Sequence, residues 1–254
     1  MKFGQNLLKY SVFISLFVQV LTGIFTLKGV FVKVPAKDII LTEIITLETV
    51  VQFIEGIFYT FIALAINKID ANLITRRRYI DWFITTPTML LSTIMFMAYE
   101  TINAVNKKEK YGNIENKETS KNQETTESQN KALDFTSFMK KYKNVFIKIA
   151  AYNALMLVFG YLGEIGVLNI WLSTIIGFVF FYLTFEQIYS NFVKNSPSKE
   201  NKMLFTFLLI VWGLYGVAAV LPLIPKNVGY NFLDLISKNF YGIYIYFKIM
   251  KVAI

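Results

Sequence analysis

The chain has 254 residues, 55% of them hydrophobic and only 17% charged, whereas an ordinary soluble domain carries about 25% charged residues. Cysteine and histidine are absent, which excludes disulfides, thiol nucleophiles, histidine-based triads and His- or Cys-ligated metal sites. In so apolar a sequence the formal charge of +9 points to basic loops facing anionic lipid headgroups, not to nucleic acid.

Apolar runs fall at about residues 5–27, 39–66, 79–105, 144–164, 167–192, 203–224 and 230–250. A helix needs about 20 largely apolar residues to cross the hydrocarbon core, and every run supplies them. The sequence therefore predicts an all-α, multi-pass membrane protein, a single seven-helix bundle spanning residues 1–254 in contact with the lipid bilayer. The 24 Phe and 15 Tyr fit spans that end in aromatic belts. The opening MKFGQNLLKY lacks a small-residue cleavage site, so the first run is expected to be a retained span. Between the third and fourth runs, residues 106–134 are almost devoid of apolar side chains and are expected to form a mobile surface loop. Lys28, Lys33, Lys37, Lys194, Lys199, Lys202, Lys248 and Lys251 would share that loop's side of the membrane. The positive-inside rule makes this side cytoplasmic, with the N-terminus extracellular and the C-terminus cytoplasmic, although Lys68, Arg76 and Arg77 pull the other way.

Ionisable residues inside spans are costly and call for partners or a function. In the seventh run Asp234 and Lys238 are spaced i, i+4 on one helical face. The third run carries Arg78 and Asp81, with Thr85 one turn further on. With helix starts near Arg76 and Val228, a rise of about 1.5 Å per residue puts Asp81 roughly 8 Å and Asp234 roughly 9 Å deep, at one level, with Lys238 about 15 Å deep, near mid-membrane. A buried amine there is poorly solvated as an ammonium and suited to condensation with a carbonyl. The same four residues would equally make a structural ion-pair network in a retinal-free transporter or receptor.

Arg78-Tyr79-Ile80-Asp81-Trp82 followed by Thr85-Thr86-Pro87 resembles the third-helix signature of microbial rhodopsins, R-Y-x-D-W-x-x-T-T-P. Asp234 and Lys238 resemble the family's seventh-helix D-x-x-x-K, and Trp212 with Tyr215 its sixth-helix W-x-x-Y. The resemblance implies all-trans retinal held as a Schiff base on Lys238, Asp81 as primary counterion and proton acceptor, Asp234 as second counterion, and Arg78 bridging the pair towards the exit. It further implies a pocket lined by Trp82, Thr85, Thr86, Met89, Trp212, Tyr215 and Gly216, with Trp171 and Thr174 as further candidates. The apolar Met89 implies absorption in the green.

The triad Asp81, Thr85 and Ser92 resembles that of rhodopsins from large DNA viruses, which implies a host plasma or internal membrane. Ser92 stands where fast outward pumps carry an acidic proton donor, and serine is a poor proton source. In the second run Glu48, Gln52 and Glu55 form an i, i+4, i+7 stripe, suited to lining a cation path together with Ser11 and Gln19 of the first, or to bonding neighbouring helices. Counting from Asp38 places Glu55 level with Asp81, and Glu43 near Ser92, where it is a candidate replacement donor. The implied activity is transport and not enzymatic turnover. A light-driven outward proton pump comes first, then a light-gated cation channel using the helix glutamates, then a photosensor. Protons or small cations are the implied cargo, and homo-oligomerisation stays open.

Overall fold

The computed structural model describes residues 2–115 and 132–254. Its helices are α1 (Lys2–Val30), α2 (Ile39–Ala65), α3 (Ala71–Glu115), α4 (Phe135–Glu164), α5 (Ile170–Ile188), α6 (Lys199–Ala219), α7 (Leu223–Asp234) and α8 (Phe240–Val252). A π turn, Tyr189–Val193, extends α5, and another, Leu235–Asn239, joins α7 to α8 into one rod. The two halves of that rod have 12 and 13 residues, so neither is long enough to span alone. Six other helices are long and apolar enough to cross a membrane. With the composite rod they make the seven-helix bundle, in an integral multi-pass membrane protein.

Each helix forms where the expected apolar run lies, and polar side chains cap the starts of α4, α5 and α6. Asp134 accepts from the Ser137 amide at the start of α4, Asn169 from the Trp171 amide at the start of α5, and Ser198 from the Asn201 amide at the start of α6. The short turn after α4 is closed by Gly166 at φ 79°, a conformation in which a Cβ would be strained. The third helix outruns the expectation. It continues to Glu115, inside the polar stretch read as a mobile loop, and residues 116–131 of that stretch lie outside the described residues.

Successive helices pack side by side, and α1 closes the ring against α7 and α8. The end where α1 begins is called proximal below, and the opposite end distal. α3 sits inside the ring, touching α6 and α7 as well as its chain neighbours, which is why Ile94, Met95, Phe96 and Met97 are all fully buried. The polarity of the bundle is inverted relative to a soluble protein. Leu64, Phe53 and Ile175 face outward at 86%, 72% and 62% exposure, while Glu48, Glu55, Arg78, Asp234 and Lys238 are buried. Lipid tails are as apolar as leucine, so burial of apolar area does not drive helix association; close packing and interior hydrogen bonds do.

Gly163 of α4 shows how tight that packing is, because a Cβ there would fall 2.8 Å from Cβ of Ser173 in α5. Gly163→Val is therefore expected to force α4 and α5 apart at a cost of about 1–3 kcal/mol, read as a lowered thermal midpoint of the detergent-solubilised protein.

Candidate functional site: a buried lysine among three carboxyls

Lys238 lies in the π turn with its side chain 2% exposed. Gln52 Nε2 of α2 donates to the Lys238 carbonyl at 3.2 Å, which ties the π turn to the second helix. Nζ of Lys238 meets Asp81 Oδ2 at 2.9 Å, Glu55 Oε1 at 3.2 Å and Asp234 Oδ1 at 3.5 Å. One cation therefore faces carboxyls from α2, α3 and α7, in an interior where unpaired charge would cost several kcal/mol. Asp81 and Asp234 reach one level, as the count along the helices requires, since α3 and α7 each start five residues before the Arg76 and Val228 assumed as helix starts.

Arg78, fully buried, anchors the proximal side. Its Nη1 donates to Asp234 Oδ2 at 2.8 Å and to the Tyr59 hydroxyl at 3.2 Å, and its Nη2 donates to Asn231 Oδ1. Tyr59 and Tyr215 donate to the two oxygens of Asp234, each at 2.8 Å, and Asn231 Nδ2 reaches Ser11 Oγ at 2.7 Å. Asp234 is thus held by three donors besides Lys238. Asp81 is more lightly held, with Oδ1 buried and without a hydrogen-bond partner.

Beside Lys238 lies a slot of about 110 Å³. Trp82, Thr86 and Met89 line it from α3, Thr174 from α5, and Trp212, Tyr215 and Gly216 from α6. Trp82 sets its ring edgewise to Tyr215 and Tyr230, with centroids 5.4 and 5.0 Å away, and Thr86 is fixed by Asn153 Nδ2 at 2.8 Å. At Gly216 a Cβ would collide with the Phe178 ring. The ring occupies the space a side chain would take, so α5 closes this end of the slot.

Several sequence expectations land elsewhere. Trp171 does not line the slot and is 61% exposed. It sits in the first turn of α5, about a quarter-turn from the centre of the stripe formed by Ser173, Thr174, Gly177, Phe178 and Phe181. Thr85 bonds the Asp81 carbonyl at 3.0 Å and is absent from the slot lining. Glu43 accepts from the Phe135 amide at the start of α4, and it is Glu48 that meets the Ser92 hydroxyl. The register explains this: Tyr99 hydrogen-bonds Asp38 at 2.8 Å, so Ser92 lies about two turns along α3 from the level of Asp38. Glu48 is nearly three turns along α2, and tilt and side-chain reach cover the difference. Gln19 bonds Gln52 through both its carbonyl and its side chain.

Tyr59, Asn231 and Tyr230 were missed, and two of them had a signal. Tyr59 continues the stripe Glu48, Gln52, Glu55 by one more turn, and Asn227 and Asn231 extend Asp234 and Lys238 backwards at i, i+4, i+7, i+11.

An amine at the end of an aromatic slot, opposed by carboxyls inside a seven-helix membrane bundle, defines a class of proteins that carry an aldehyde chromophore on a lysine. The comparisons agree with that class. The family described as bacteriorhodopsin-like protein matches residues 7–252, and the chain belongs to it. Among solved structures, the viral rhodopsin OLPVRII is 28% identical, with a TM-score of 0.74 over 98% of this chain and 100% of that one. Exiguobacterium sibiricum rhodopsin, 18% identical, has a TM-score of 0.70 over 99% and 98% of the two chains. Xanthorhodopsin, titled a light-driven ion pump with dual chromophore, is 17% identical with a TM-score of 0.68 over 98% and 94%. At such identities the last two show the fold alone. None of the curated proteins compared with the chain matches it. The family implies a retinal chromophore, and the residues present fit one: a primary amine for the aldehyde, carboxyls to balance a positive nitrogen, and an apolar slot with aromatic walls.

Arg78→Gln removes the guanidinium fork from Asp234, Asn231 and Tyr59 and leaves a buried carboxyl cluster short of a cation. A loss of about 3–5 kcal/mol is expected, measured as reduced resistance to chemical unfolding, with Arg78→Lys recovering only part because it lacks the fork.

Proposed function

We propose that this rhodopsin is a light-driven outward proton pump with all-trans retinal on Lys238. The observation that carries the reading is the 2.9 Å contact between Lys238 Nζ and Asp81, a carboxyl with one oxygen free of partners. Retinal, joined through its aldehyde to the Lys238 amine, supplies visible absorption and a light-driven twist about a double bond. Before light, Asp81, Asp234 and Glu55 balance the positive Lys238 nitrogen. Movement of that nitrogen relative to Asp81 changes the proton affinity of both together, so the proton passes to Asp81. Asp234 is held in place by Arg78, Tyr59 and Tyr215, and Arg78 and Asn231 lead from it to the proximal end. That end is extracellular in this reading, because the lysines at 28, 33, 37, 194, 199, 202, 248 and 251 gather at the distal one. Trp82, Trp212, Met89 and Thr86 confine the chromophore, and the apolar Met89 favours green absorption.

A light-gated cation channel is the second reading, favoured by the polar line from Ser11 and Asn231 through Lys238 and Glu55 to Gln52, Gln19, Glu48 and Ser92. Against it, every member of the helix stripe is at most 2% exposed and engaged with a neighbour: Glu55 with Lys238, Gln52 with Gln19 and the Lys238 carbonyl, Glu48 with Ser92.

Purified protein mixed with all-trans retinal is expected to turn coloured, and Lys238→Ala to stay colourless. Under illumination and voltage clamp the wild type should pass outward current at all voltages, falling at least ten-fold in Asp81→Asn. A current that reverses at the cation equilibrium potential would replace the pump by the channel.

A further inference from the structure

The distal half of α4 carries charge that the centre of the bundle does not use. Lys140, Lys141, Lys143 and Lys148 are all exposed. Lys140, Asn144 and Lys148 follow one another at i, i+4, i+8, and Lys141 stands i, i+7 from Lys148, so these side chains share the face of α4 turned away from the bundle. The opposite face is buried through Phe138, Ile149, Asn153 and Leu157. Phe192, in the π turn after α5, sets its ring 5.0 Å from that of Tyr142 and 6.4 Å from that of Phe138, which brings the exposed Lys194 to the same end.

Among the described residues no carboxylate pairs with these cations, since the ion pairs use Arg78, Lys226, Lys238 and Lys248. The acids nearby are engaged by other groups: Asp134 and Glu43 by the Ser137 and Phe135 amides, and Glu186 by Ser190 and Gln187. Lys141 Nζ lies 5.0 Å over the Tyr142 ring, a contact that steadies the ammonium group without cancelling its charge. Like charges on one helical face repel one another, so the face is satisfied only beside anions.

Depth selects the anion. α4 has 30 residues and is about 45 Å long, whereas the hydrocarbon core is about 30 Å thick. At the proximal end, exposed Tyr161 of α4 and Trp171 of α5 mark the water interface, where such rings collect. Counting back about 20 residues from Tyr161, the core ends near Lys141. Lys140, Lys141 and Lys143 therefore lie at the level of the distal headgroups. Lys148 is about 10 Å deeper, and because helical side chains lean towards the N-terminus, its stem rises to the same layer. Below the lysines the outward face continues as exposed Ile147, Leu155 and Val158. An anionic head with hydrocarbon tails matches both parts of this surface, whereas an acidic peptide or a polynucleotide matches the lysines alone.

We propose that this face of α4 docks an anionic phospholipid of the distal leaflet, with the headgroup phosphates held by Lys140, Lys141, Lys143 and Lys148 and the acyl chains lying along Ile147, Leu155 and Val158. The site goes beyond the pump reading and does not rest on it.

The full chain, purified in neutral detergent, is mixed with phosphatidylinositol bisphosphate or with phosphatidylcholine of the same acyl chains, and retained lipid is counted by native mass spectrometry. The anionic lipid is expected to be retained at least ten-fold better, and that preference to fall at least five-fold in K140Q/K141Q/K143Q/K148Q. Two controls should keep it: K140R/K141R/K143R/K148R, which preserves the charge, and K28Q/K33Q/K199Q/K202Q, which removes as many exposed lysines elsewhere. In the wild type itself, a photoreactive anionic lipid should label α4 between Lys140 and Val158, a readout that needs no variant to fold. Equal retention of the two lipids, an equal loss in the two glutamine variants, or labelling confined to other helices would overturn the site. Competition by chain-free inositol trisphosphate as strong as by the lipid would overturn it too, making the ligand a soluble phosphate.

Discussion

An ammonium group near the middle of a membrane is tolerable only against opposite charge, and the architecture of this bundle follows from that constraint. Lys238 is met by carboxyls from three helices. Removing water from the cluster strengthens each attraction and makes any uncompensated charge expensive. Arg78 supplies the second cation, so that two cations face three carboxyls in one connected group. The group fixes the mutual register of α2, α3 and α7, and Lys238 reaches it from the π turn, whose Lys238 carbonyl accepts from Gln52.

The two sides of the cluster are built differently. On the proximal side Asp234 has all its partners, and Tyr59, Tyr215, Asn231, Ser237 and Ser11 form a closed hydrogen-bonded frame around it. Such a frame holds a charge in place at little reorganisation cost. On the distal side Glu48 Oε2, the Tyr241 hydroxyl and both polar atoms of the Asn239 side chain are buried without a hydrogen-bond partner.

The second helix carries more of this than its apolar character suggests. Glu48, Gln52, Glu55 and Tyr59 occupy one inward face and each reaches a different part of the centre: Ser92, the Lys238 carbonyl, the Lys238 amine and Asp234. Unpaired, such a stripe would be suited to a water-filled path. Paired as it is here, it ties α2 to α3 and to the α7–α8 rod, in an interior where polar bonds between helices contribute to association.

What the sequence determined by itself is the class of the molecule and its chemical centre. Seven apolar lengths required spanning helices, because no other open structure satisfies its backbone in lipid. The spacings Arg78 to Asp81 and Asp234 to Lys238 put charges on single helical faces, and the resemblance to microbial rhodopsins drew those faces together. Glu55 reached the level of Asp81 because both counts ran along straight helices. Tertiary structure decided what depends on rotation, tilt and register between helices: that Glu48 and not Glu43 meets Ser92, that Trp171 turns outward while Thr174 turns in, that Phe178 fills the place left by Gly216, and that Tyr59 and Asn231 close the frame around Asp234. Helical period fixes which residues share a face, but the neighbour each face meets is set by packing across the bundle, and a tilt of one turn is enough to exchange one glutamate for another.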